Sequence, residues 1–498
     1  MPFIPKRAKT TNSKPGDEHE PIIISDDSPP YQPPEDESNY IDLESLPKEK
    51  FKSKTSYRVI QKVNLKNLSS ESADFLNKAK VKVSPESKTL SDITGLKDSL
   101  MEYPESRVFL VGGNKGSKEE DIITFDKILR CKSGVLPYRA AITTYALDFD
   151  WLRKKLGNDL NLCICFNQNF KDGINPGAYQ VDPKTVFVVP SRMISTYSSY
   201  HPKMMLLWYK NFVRLVIGSG NMTGFDWENI QNSVFVQDFK LLSEPDSKDV
   251  HVRKQLEDLL TKSEFPKQVI DTLKYVDFDS FKHKLVVSIP GHYPKASEDE
   301  YGYQSLKRGV DSIEKIKGLD IAELYYQCSS LGRLNGAWLN QFSSNFGSNC
   351  ETKILFPTLQ QVKDSVNGTE GAGTVILNYN AFHSKYFPKS VLHKSEFTVK
   401  GLLSHSKILF SKYKDSSNGW MYLGSHNFTK SAWGNFNNDV FTVLNYEIGV
   451  LLECNYLNNS IQIPSITDGK DSSYTAPLPF KLNWERYGGK ESPWLLSL

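Results

Sequence analysis

Short apolar runs alternate with helical patterns from about residue 120 onward. Strand-like runs in the first half are LCICF (162–166), VFVVP (186–190), KMMLLWY (203–209) and RLVIGSG (214–220). Those in the second half are LYYQCSS (324–330), TKILFP (352–357), SKILFSKY (406–413), GWMYLGS (419–425) and YEIGVLLEC (446–454). Helix-like segments are DIITFDKILR (121–130), DVHVRKQLEDLLTK (249–262) and QQVKDSV (360–366). Strands that alternate with helices predict a layered α/β fold.

The similar order of elements in the two halves predicts two domains. The polar, turn-rich stretch PGHYPKASEDEYG (290–302) is the expected boundary between them. Nine of the 26 prolines lie in residues 1–55, together with many acidic residues and serines, so we expect a disordered tail there. The predicted division is a tail (1–55), an extension with mixed signals (56–119), a first domain (120–292) and a second domain (293–498).

One short motif occurs twice. The copies are HPK (201–203) followed by GSGNMTGFDW (218–227), and HSK (405–407) followed by GSHNFTKSAW (424–433). The ten-residue stretches agree at Gly, Ser, Asn, Thr and Trp. The two histidines are 204 residues apart (405 − 201) and the two asparagines 206 (427 − 221), so the offset is nearly constant. We therefore expect a duplicated unit whose two similar α-β-α layered halves are related by a pseudo-two-fold axis.

Such a duplication would place two imidazoles, two ammonium groups and two carboxamides in one pocket. The period of two in a strand predicts that the His and Lys of each copy share a face, with the Asn at the end of the next strand. This set is suited to a phosphodiester, because Lys and Asn can surround the non-bridging oxygens while one imidazole attacks phosphorus and the other protonates the leaving oxygen. The candidate residues are His201, Lys203, Asn221, His405, Lys407 and Asn427.

Composition limits the class of protein. We find no apolar run long enough to cross a bilayer, and MPFIPKRAKTTNSKPG lacks the apolar segment of a signal peptide, so we expect a soluble protein with no membrane partner. The six cysteines are scattered without a C-x-x-C pair, which argues against a disulfide framework and a zinc site. No metal and no cofactor are expected, because two lysines and two imidazoles supply the positive charge themselves.

Charge is unevenly distributed along the chain. Residues 1–50 hold six Lys or Arg and eleven Asp or Glu, a net charge of −5, so the remainder of this +3 protein carries +8. A basic body suits an anionic partner such as nucleic acid. The cluster Lys6, Arg7 and Lys9 is either a nuclear-import signal or a solvated basic run. Ile22–Ile24, which precedes acidic residues, either adds as a strand to a ubiquitin-like modifier or is a chance apolar triplet.

The paired motifs resemble the phospholipase D superfamily and, more narrowly, the tyrosyl-DNA phosphodiesterase family. Ordinary phospholipase D enzymes have H-x-K-x-x-x-x-D, but Trp208 and Lys412 occupy the Asp position here. The tyrosyl-DNA branch lacks that Asp and uses the later Asn. Further similar segments are YHPKMMLLWY, TTYALDFDWL, QCSSLGRLN, SAWG, YEIGVL and ERYGGKESPW, so the resemblance covers most of residues 120–498.

The resemblance implies a role for each motif residue. His201 would be the nucleophile that forms a covalent phosphohistidine with a DNA 3′ end, and His405 the general acid toward tyrosine and then the general base for water. Symmetry of the motifs alone leaves either imidazole free to attack. Glu447 matches a family glutamate that orients a catalytic imidazole. The matching amide of the first half is usually Gln, but the spacing here indicates Asn232, with Gln231 adjacent, so either residue could orient the ring.

Substrate contacts also follow from the resemblance. Tyr197 matches an aromatic residue that stacks on a base, although a Tyr there could equally belong to the core. Ser329, Ser330 and Thr429 match residues that donate hydrogen bonds to DNA phosphates; without the resemblance they read as turn residues.

The expected protein is a metal-independent, nuclear DNA repair phosphodiesterase with exonuclease-type action on 3′ adducts. Expected partners are single- and double-stranded DNA with 3′ adducts and a peptide derived from topoisomerase I. The chain is expected to be monomeric, since its two halves already supply both motifs. The alternatives are another phospholipase D-superfamily phosphodiesterase, acting on phospholipids or as a nuclease, and a non-catalytic DNA-binding protein.

Overall fold

The computed structural model describes residues 96–112, 119–167, 175–295, 301–347, 350–467 and 470–496. The predicted tail, with its basic cluster and Ile22–Ile24, lies outside the described residues, as does most of the predicted extension. No helix among the described residues is long and apolar enough to cross a membrane.

The first half forms a mixed sheet of eight strands. In chain order the strands are β1 (Arg107–Val111), β2 (Arg139–Thr144), β3 (Asn161–Phe166), β4 (Gly177–Asp182), β5 (Thr185–Val189), β6 (Met204–Trp208), β7 (Phe212–Gly218) and β8 (Asn232–Lys240). Their order in the sheet is β1-β8-β7-β6-β2-β3-β5-β4. The β2–β3 and β3–β5 pairs are parallel, and the other pairs are antiparallel.

The second half repeats this arrangement. Its strands are β9 (Lys284–Ser288), β10 (Gly291–Pro294), β11 (Ile321–Gln327), β12 (Glu351–Leu355), β13 (Leu392–Lys394), β14 (Ile408–Tyr413), β15 (Asn418–Gly424), β16 (Asn435–Asn437), β17 (Val440–Val443), β18 (Glu447–Leu457), β19 (Ser460–Thr467), β20 (Lys470–Thr475) and β21 (Glu485–Arg486). The large sheet has the order β20-β19-β18-β15-β14-β11-β12-β13-β21, with β9 also paired to β18, and β10, β17 and β16 form a small separate sheet.

The topologies of the two large sheets correspond. The series β1-β8-β7-β6-β2-β3-β5 matches β9-β18-β15-β14-β11-β12-β13 in order and in the direction of every pair. This confirms the predicted α/β class and the two similar domains. The boundary predicted between residues 292 and 293 stays a prediction, although β9 already pairs within the second sheet.

Helices cover the sheets. They are α1 (Phe125–Leu129), α2 (Phe149–Leu156), α3 (Gly224–Glu228), α4 (His251–Lys262), α5 (Lys267–Asp271), α6 (Gly302–Asp311), α7 (Gly336–Ser343), α8 (Leu359–Lys363), α9 (Tyr379–His383) and α10 (Lys430–Trp433). The helix predicted over 121–130 is shorter than expected. Ile122 forms a bridge with Leu110, so this part is extended and the helix begins only after Thr124, whose hydroxyl caps it.

Alternate residues of the first sheet pack into two different hydrophobic cores, one on each face. Ile142 of β2 packs with Leu152 of α2 on one face. The neighbouring Ala141 belongs to the opposite face, whose core also contains Leu256 of α4 and Trp420 of β15 in the second sheet. The halves therefore share a continuous hydrophobic core, as period-two alternation in a doubly covered sheet allows.

Candidate active site

Both His-x-Lys segments lie where the two halves contact each other. His201 and Lys203 lie just before β6, which begins at Met204, and His405 and Lys407 just before β14, which begins at Ile408. The prediction that they lie on the strands is therefore wrong. The reason is a backbone bond to the opposite half: the His201 N–H donates to the Tyr446 carbonyl at 3.1 Å, and the His405 N–H to the Gln231 carbonyl at 2.8 Å.

These two contacts between the halves are related by the pseudo-two-fold axis. Tyr200, which precedes His201, forms a parallel bridge with Tyr446. Ser404, which precedes His405, forms the same bridge with Gln231. The residue after each bridge partner, Glu447 or Asn232, therefore lies next to the histidine of the opposite half.

Glu447 holds His201. Its Oε2 lies 2.7 Å from His201 Nδ1, so that nitrogen is occupied and Nε2 is the one available for attack. The Ser425 hydroxyl donates to the same oxygen, and the Asn445 amide donates to Oε1 at 3.2 Å. Burial raises the pKa of Glu447 to about 7. Burial and the nearby lysines hold the pKa of His201 well below its usual range.

Asn232 holds His405. Its Oδ1 lies 3.1 Å from His405 Nδ1 and accepts the Ser219 hydroxyl at 2.8 Å. The Gln231 side chain is buried and has no hydrogen-bond partner among the described residues. Neighbouring side chains of an extended segment point to opposite sides, so Gln231 faces away from the ring that Asn232 holds. Of the two candidates, the geometry favours Asn232 as the orienting residue. Burial and the lysines also lower the pKa of His405 well below its usual range.

Both lysines are buried beside the imidazoles. Lys203 Nζ donates to the His201 carbonyl at 2.9 Å, and burial lowers its pKa to about 7. Lys407 Nζ donates to the His405 carbonyl and, at 2.8 Å, to the Ser329 hydroxyl. Burial lowers the pKa of Lys407 well below its usual range, and repulsion from Lys203 lowers it further, so the two ammonium groups lie close enough to repel each other. An anion between them would offset this repulsion.

The two asparagines are held differently. Asn221 Oδ1 accepts the Ala146 N–H at 3.2 Å, and its amide donates to Asp226 Oδ2 at 3.0 Å. Asn427 Oδ1 accepts from the Ser329 hydroxyl and from the Ser330 N–H, both at 3.1 Å. In each case the carboxamide oxygen is occupied by protein donors. This fixes the plane of the carboxamide and favours the N–H side for an oxyanion.

The remaining sequence-predicted residues are Ser329, Ser330, Thr429 and Tyr197. Ser329 and Ser330 contact the motif residues directly through the bonds just described. The Thr429 hydroxyl caps α10 by accepting the Ala432 N–H, and Thr223 caps α3 of the first half in the same way. Tyr197 is 79% exposed, so it does not belong to the core.

Sequence reasoning missed three residues of the site. Asp226 is fully buried and its Oδ2 lies 3.4 Å from His405 Nδ1. His426 stacks on Trp433 and bonds to the hydroxyls of Tyr422 and Ser288. Burial lowers the pKa of His426 to about 3, so this ring is neutral. Both Asp226 and His426 stand inside the repeated ten-residue stretch at positions where the copies differ, and that difference was the available signal. Ser425, whose hydroxyl binds Glu447, belongs to the shared Gly-Ser pair.

A site with two lysines and two oriented imidazoles can perform phosphoryl transfer without a further cation. No group of three or more His, Cys, Asp or Glu among the described residues is arranged to hold a metal ion. Each imidazole is fixed at Nδ1, which leaves Nε2 for chemistry. The duplicated sheets and the paired motifs together define a phospholipase D-like protein.

Comparison with known proteins narrows this class. The family model for tyrosyl-DNA phosphodiesterase matches residues 108–488, and the chain belongs to that family. Tyrosyl-DNA phosphodiesterase 1 of Arabidopsis thaliana is 25% identical over 349 residues, which cover 63% of this chain and 56% of the relative. The match to tyrosyl-DNA phosphodiesterase 1 of Drosophila melanogaster is 22% identical over 415 residues, covering 75% of this chain and 70% of the relative.

A solved structure supports the fold. The crystal structure of the yeast tyrosyl-DNA phosphodiesterase superposes with a TM-score of 0.59 at 17% identity, over 79% of this chain and all of that one. The aligned part of our chain spans just over half the length of the Arabidopsis relative.

Proposed function

We propose that this protein is a DNA repair phosphodiesterase that hydrolyses the 3′-phosphotyrosyl bond between DNA and a topoisomerase I tyrosine. The observation that carries the proposal is the reciprocal anchoring of two imidazoles at Nδ1, by Glu447 and by Asn232, beside two buried lysines. Membership of the tyrosyl-DNA phosphodiesterase family supports the substrate class.

In the first step, His201 Nε2 attacks phosphorus and the bond to the tyrosyl oxygen breaks. The Nε2–H of His405 protonates the departing oxygen, and a 3′-phosphohistidine forms. In the second step, His405 accepts a proton from water, which attacks phosphorus and releases His201 and a DNA 3′-phosphate. Lys203, Lys407 and the asparagine amides surround the non-bridging oxygens, where charge increases in the transition state.

Glu447 supports the assignment of the nucleophile. A buried carboxylate at Nδ1 makes the His201 ring more electron-rich than an amide would, and it stabilises the positive ring of the phosphohistidine. His405 Nδ1 bonds to the neutral amide of Asn232 and has its carboxylate, Asp226, at 3.4 Å, so its positive ring is held less strongly than that of His201, which suits a group that must give up its proton first.

The decisive assay uses a 5′-labelled oligonucleotide that carries a 3′-phosphotyrosine. We expect conversion to the 3′-phosphate in EDTA, no conversion by His201→Ala, and a covalent protein–DNA band on a denaturing gel for His405→Asn. Loss of activity with chelator, or full activity of His201→Ala, would contradict the mechanism. A stable band for His201→Ala but not for His405→Asn would reverse the two histidine roles.

We further propose DNA contacts, a nuclear site of action, exonuclease-type removal of 3′ adducts and a monomeric state. The exposure of Tyr197 supports stacking on a base, and the supply of both motifs by one chain supports a monomer. Import through Lys6, Arg7 and Lys9 is tested by Ala substitution in a tagged protein, for which we expect loss of nuclear accumulation. For Ile22–Ile24, Ala substitution should abolish binding to a ubiquitin-like modifier, and unchanged binding would reject that partner.

A further inference from the structure

A second buried carboxylate lies beside His405. Asp226 is fully buried, and its Oδ2 lies 3.4 Å from His405 Nδ1. The same oxygen accepts the Asn221 backbone N–H at 2.8 Å and the Asn221 amide at 3.0 Å. The Thr223 hydroxyl donates to Oδ1 at 3.1 Å. The equivalent position of the second copy is Ala432, so this carboxylate breaks the symmetry of the repeat.

The charges around His405 explain why a carboxylate is useful here. Burial is the largest cause that disfavours the imidazolium of His405, and Lys407, Lys203 and His201, which all face the ring, disfavour it further. Asp226 is the carboxylate at ion-pair distance from the ring. Both lysines also face Asp226, and burial raises its pKa. With a phosphodiester bound, Asp226 is the group that opposes these cations, and without it the general acid would lose its proton before the reaction.

A count of the formal charges of the lysines, carboxylates and imidazoles of the site leads to the same conclusion. The charges of Lys203 and Glu447 sum to zero whether both residues are charged or both are neutral. The same holds for Lys407 and Asp226. A bound phosphodiester adds one negative charge, which a single imidazolium balances. If Asp226 were neutral while Lys407 stayed charged, the substrate would be balanced with both imidazoles neutral, and no proton would be available for the leaving group.

We propose that Asp226 is a positioning residue that favours the imidazolium of His405 in the substrate complex, until its Nε2–H has been transferred to the leaving tyrosyl oxygen. This inference rests on the proposed phosphodiesterase function. After transfer, His405 is neutral, its Nδ1–H still points to Asn232 Oδ1, and the phenol leaves as the His201–phosphorus bond forms. The amide and the carboxylate thus have separate tasks: Asn232 sets the direction of the ring and Asp226 its charge.

The test compares two leaving groups in Asp226→Asn, which keeps the shape and one oxygen of the side chain. The substrates are a 3′-phosphotyrosyl oligonucleotide, whose phenol has a pKa of about 10, and the 3′-p-nitrophenyl phosphate ester, whose phenol ionises near neutrality. We expect tyrosyl release to slow about 10- to 100-fold, within the range of general acid catalysis. Nitrophenyl release should slow less than about 3-fold, because this group leaves without a proton. The basic limb of the pH profile of kcat for the tyrosyl substrate should move to lower pH.

Asp226 also holds Asn221, so a matched variant separates the two roles. Asn221→Ala keeps the carboxylate but removes a phosphate-binding amide, and we expect it to slow both substrates equally. Equal slowing of both substrates by Asp226→Asn, with an unchanged pH profile, would overturn the inference. If wild-type protein cleaves neither substrate, the proposed function itself fails instead.

A double variant covers the case in which Asp226→Asn folds poorly. Adding Asn232→Asp places a carboxylate at the 3.1 Å position and copies the arrangement of Glu447 beside His201. We expect this pair of changes to restore the preference for the tyrosyl substrate. A double variant that is folded by thermal denaturation but still selectively slow toward tyrosine would reject the charge role of Asp226.

Discussion

Asn232 and Gln231 are neighbours on one chain segment, and both are fully buried, so alanine substitution of each gives a matched comparison. Asn232 makes three side-chain bonds: its Oδ1 accepts from His405 and Ser219, and its Nδ2 donates to the Asp226 carbonyl at 2.7 Å. In Asn232→Ala, the buried Nδ1–H of His405 loses its nearest acceptor. Such a loss costs about 1–3 kcal/mol, and about 1.4 kcal/mol is tenfold in rate.

We therefore expect Asn232→Ala to lower the single-turnover rate on a 3′-phosphotyrosyl oligonucleotide about 10- to 100-fold. Gln231→Ala removes no side-chain hydrogen bond within the described residues, and its backbone bonds to Leu403 and His405 remain. We expect its rate to stay within about 3-fold of wild type. Thermal denaturation of both variants separates lost orientation from lost folding. A larger rate loss in Gln231→Ala than in Asn232→Ala would refute the assignment.

Three further outcomes follow from the site. Glu447→Gln should slow formation of the covalent adduct about 10-fold in burst-phase kinetics, because the amide cannot stabilise the positive ring of His201; an unchanged burst rate would contradict this. Tyr197→Ala should raise KM without lowering kcat, since stacking is worth about 1–3 kcal/mol per base, and an unchanged KM for oligonucleotides would exclude stacking. Lys203 has a pKa of about 7 in the folded protein, against about 10.4 unfolded. Between these pH values the unfolded chain binds more protons than the folded protein. The difference in unfolding free energy between wild type and Lys203→Met should therefore rise by about 1.4 kcal/mol per pH unit. Urea unfolding at pH 7, 8 and 9 measures this, and a constant difference would be the contrary result.

The repeated motif carried most of what the sequence could predict. The His, Lys and Asn of each copy identify the chemistry, and apolar runs such as LCICF and YEIGVLLEC correspond to β3 and β18. The motif could not show that His201 and His405 lie before their strands, because the backbone bonds to Tyr446 and Gln231 that hold them come from the opposite half. Spacing alone also could not choose between Gln231 and Asn232. That choice depends on which side of the chain faces His405, and only the register with Ser404 fixes it.

Asp226 escaped prediction for a different reason. In the sequence it is one acidic residue at the start of a short helix, where carboxylates are common. Its significance depends on complete burial and on its distance to a ring 179 positions away (405 − 226). Neither quantity is encoded in local spacing.

The crossed anchoring of the rings has a consequence for how the molecule can be divided. Neither repeat contains a complete active site. Each repeat supplies one histidine and the side chain that orients the histidine of the other repeat. Two fragments cut between the repeats should each be inert and should regain turnover only on reassociation. Substitution of one orienting residue would then weaken catalysis by the histidine of the opposite repeat, and the histidine of the same repeat would stay oriented.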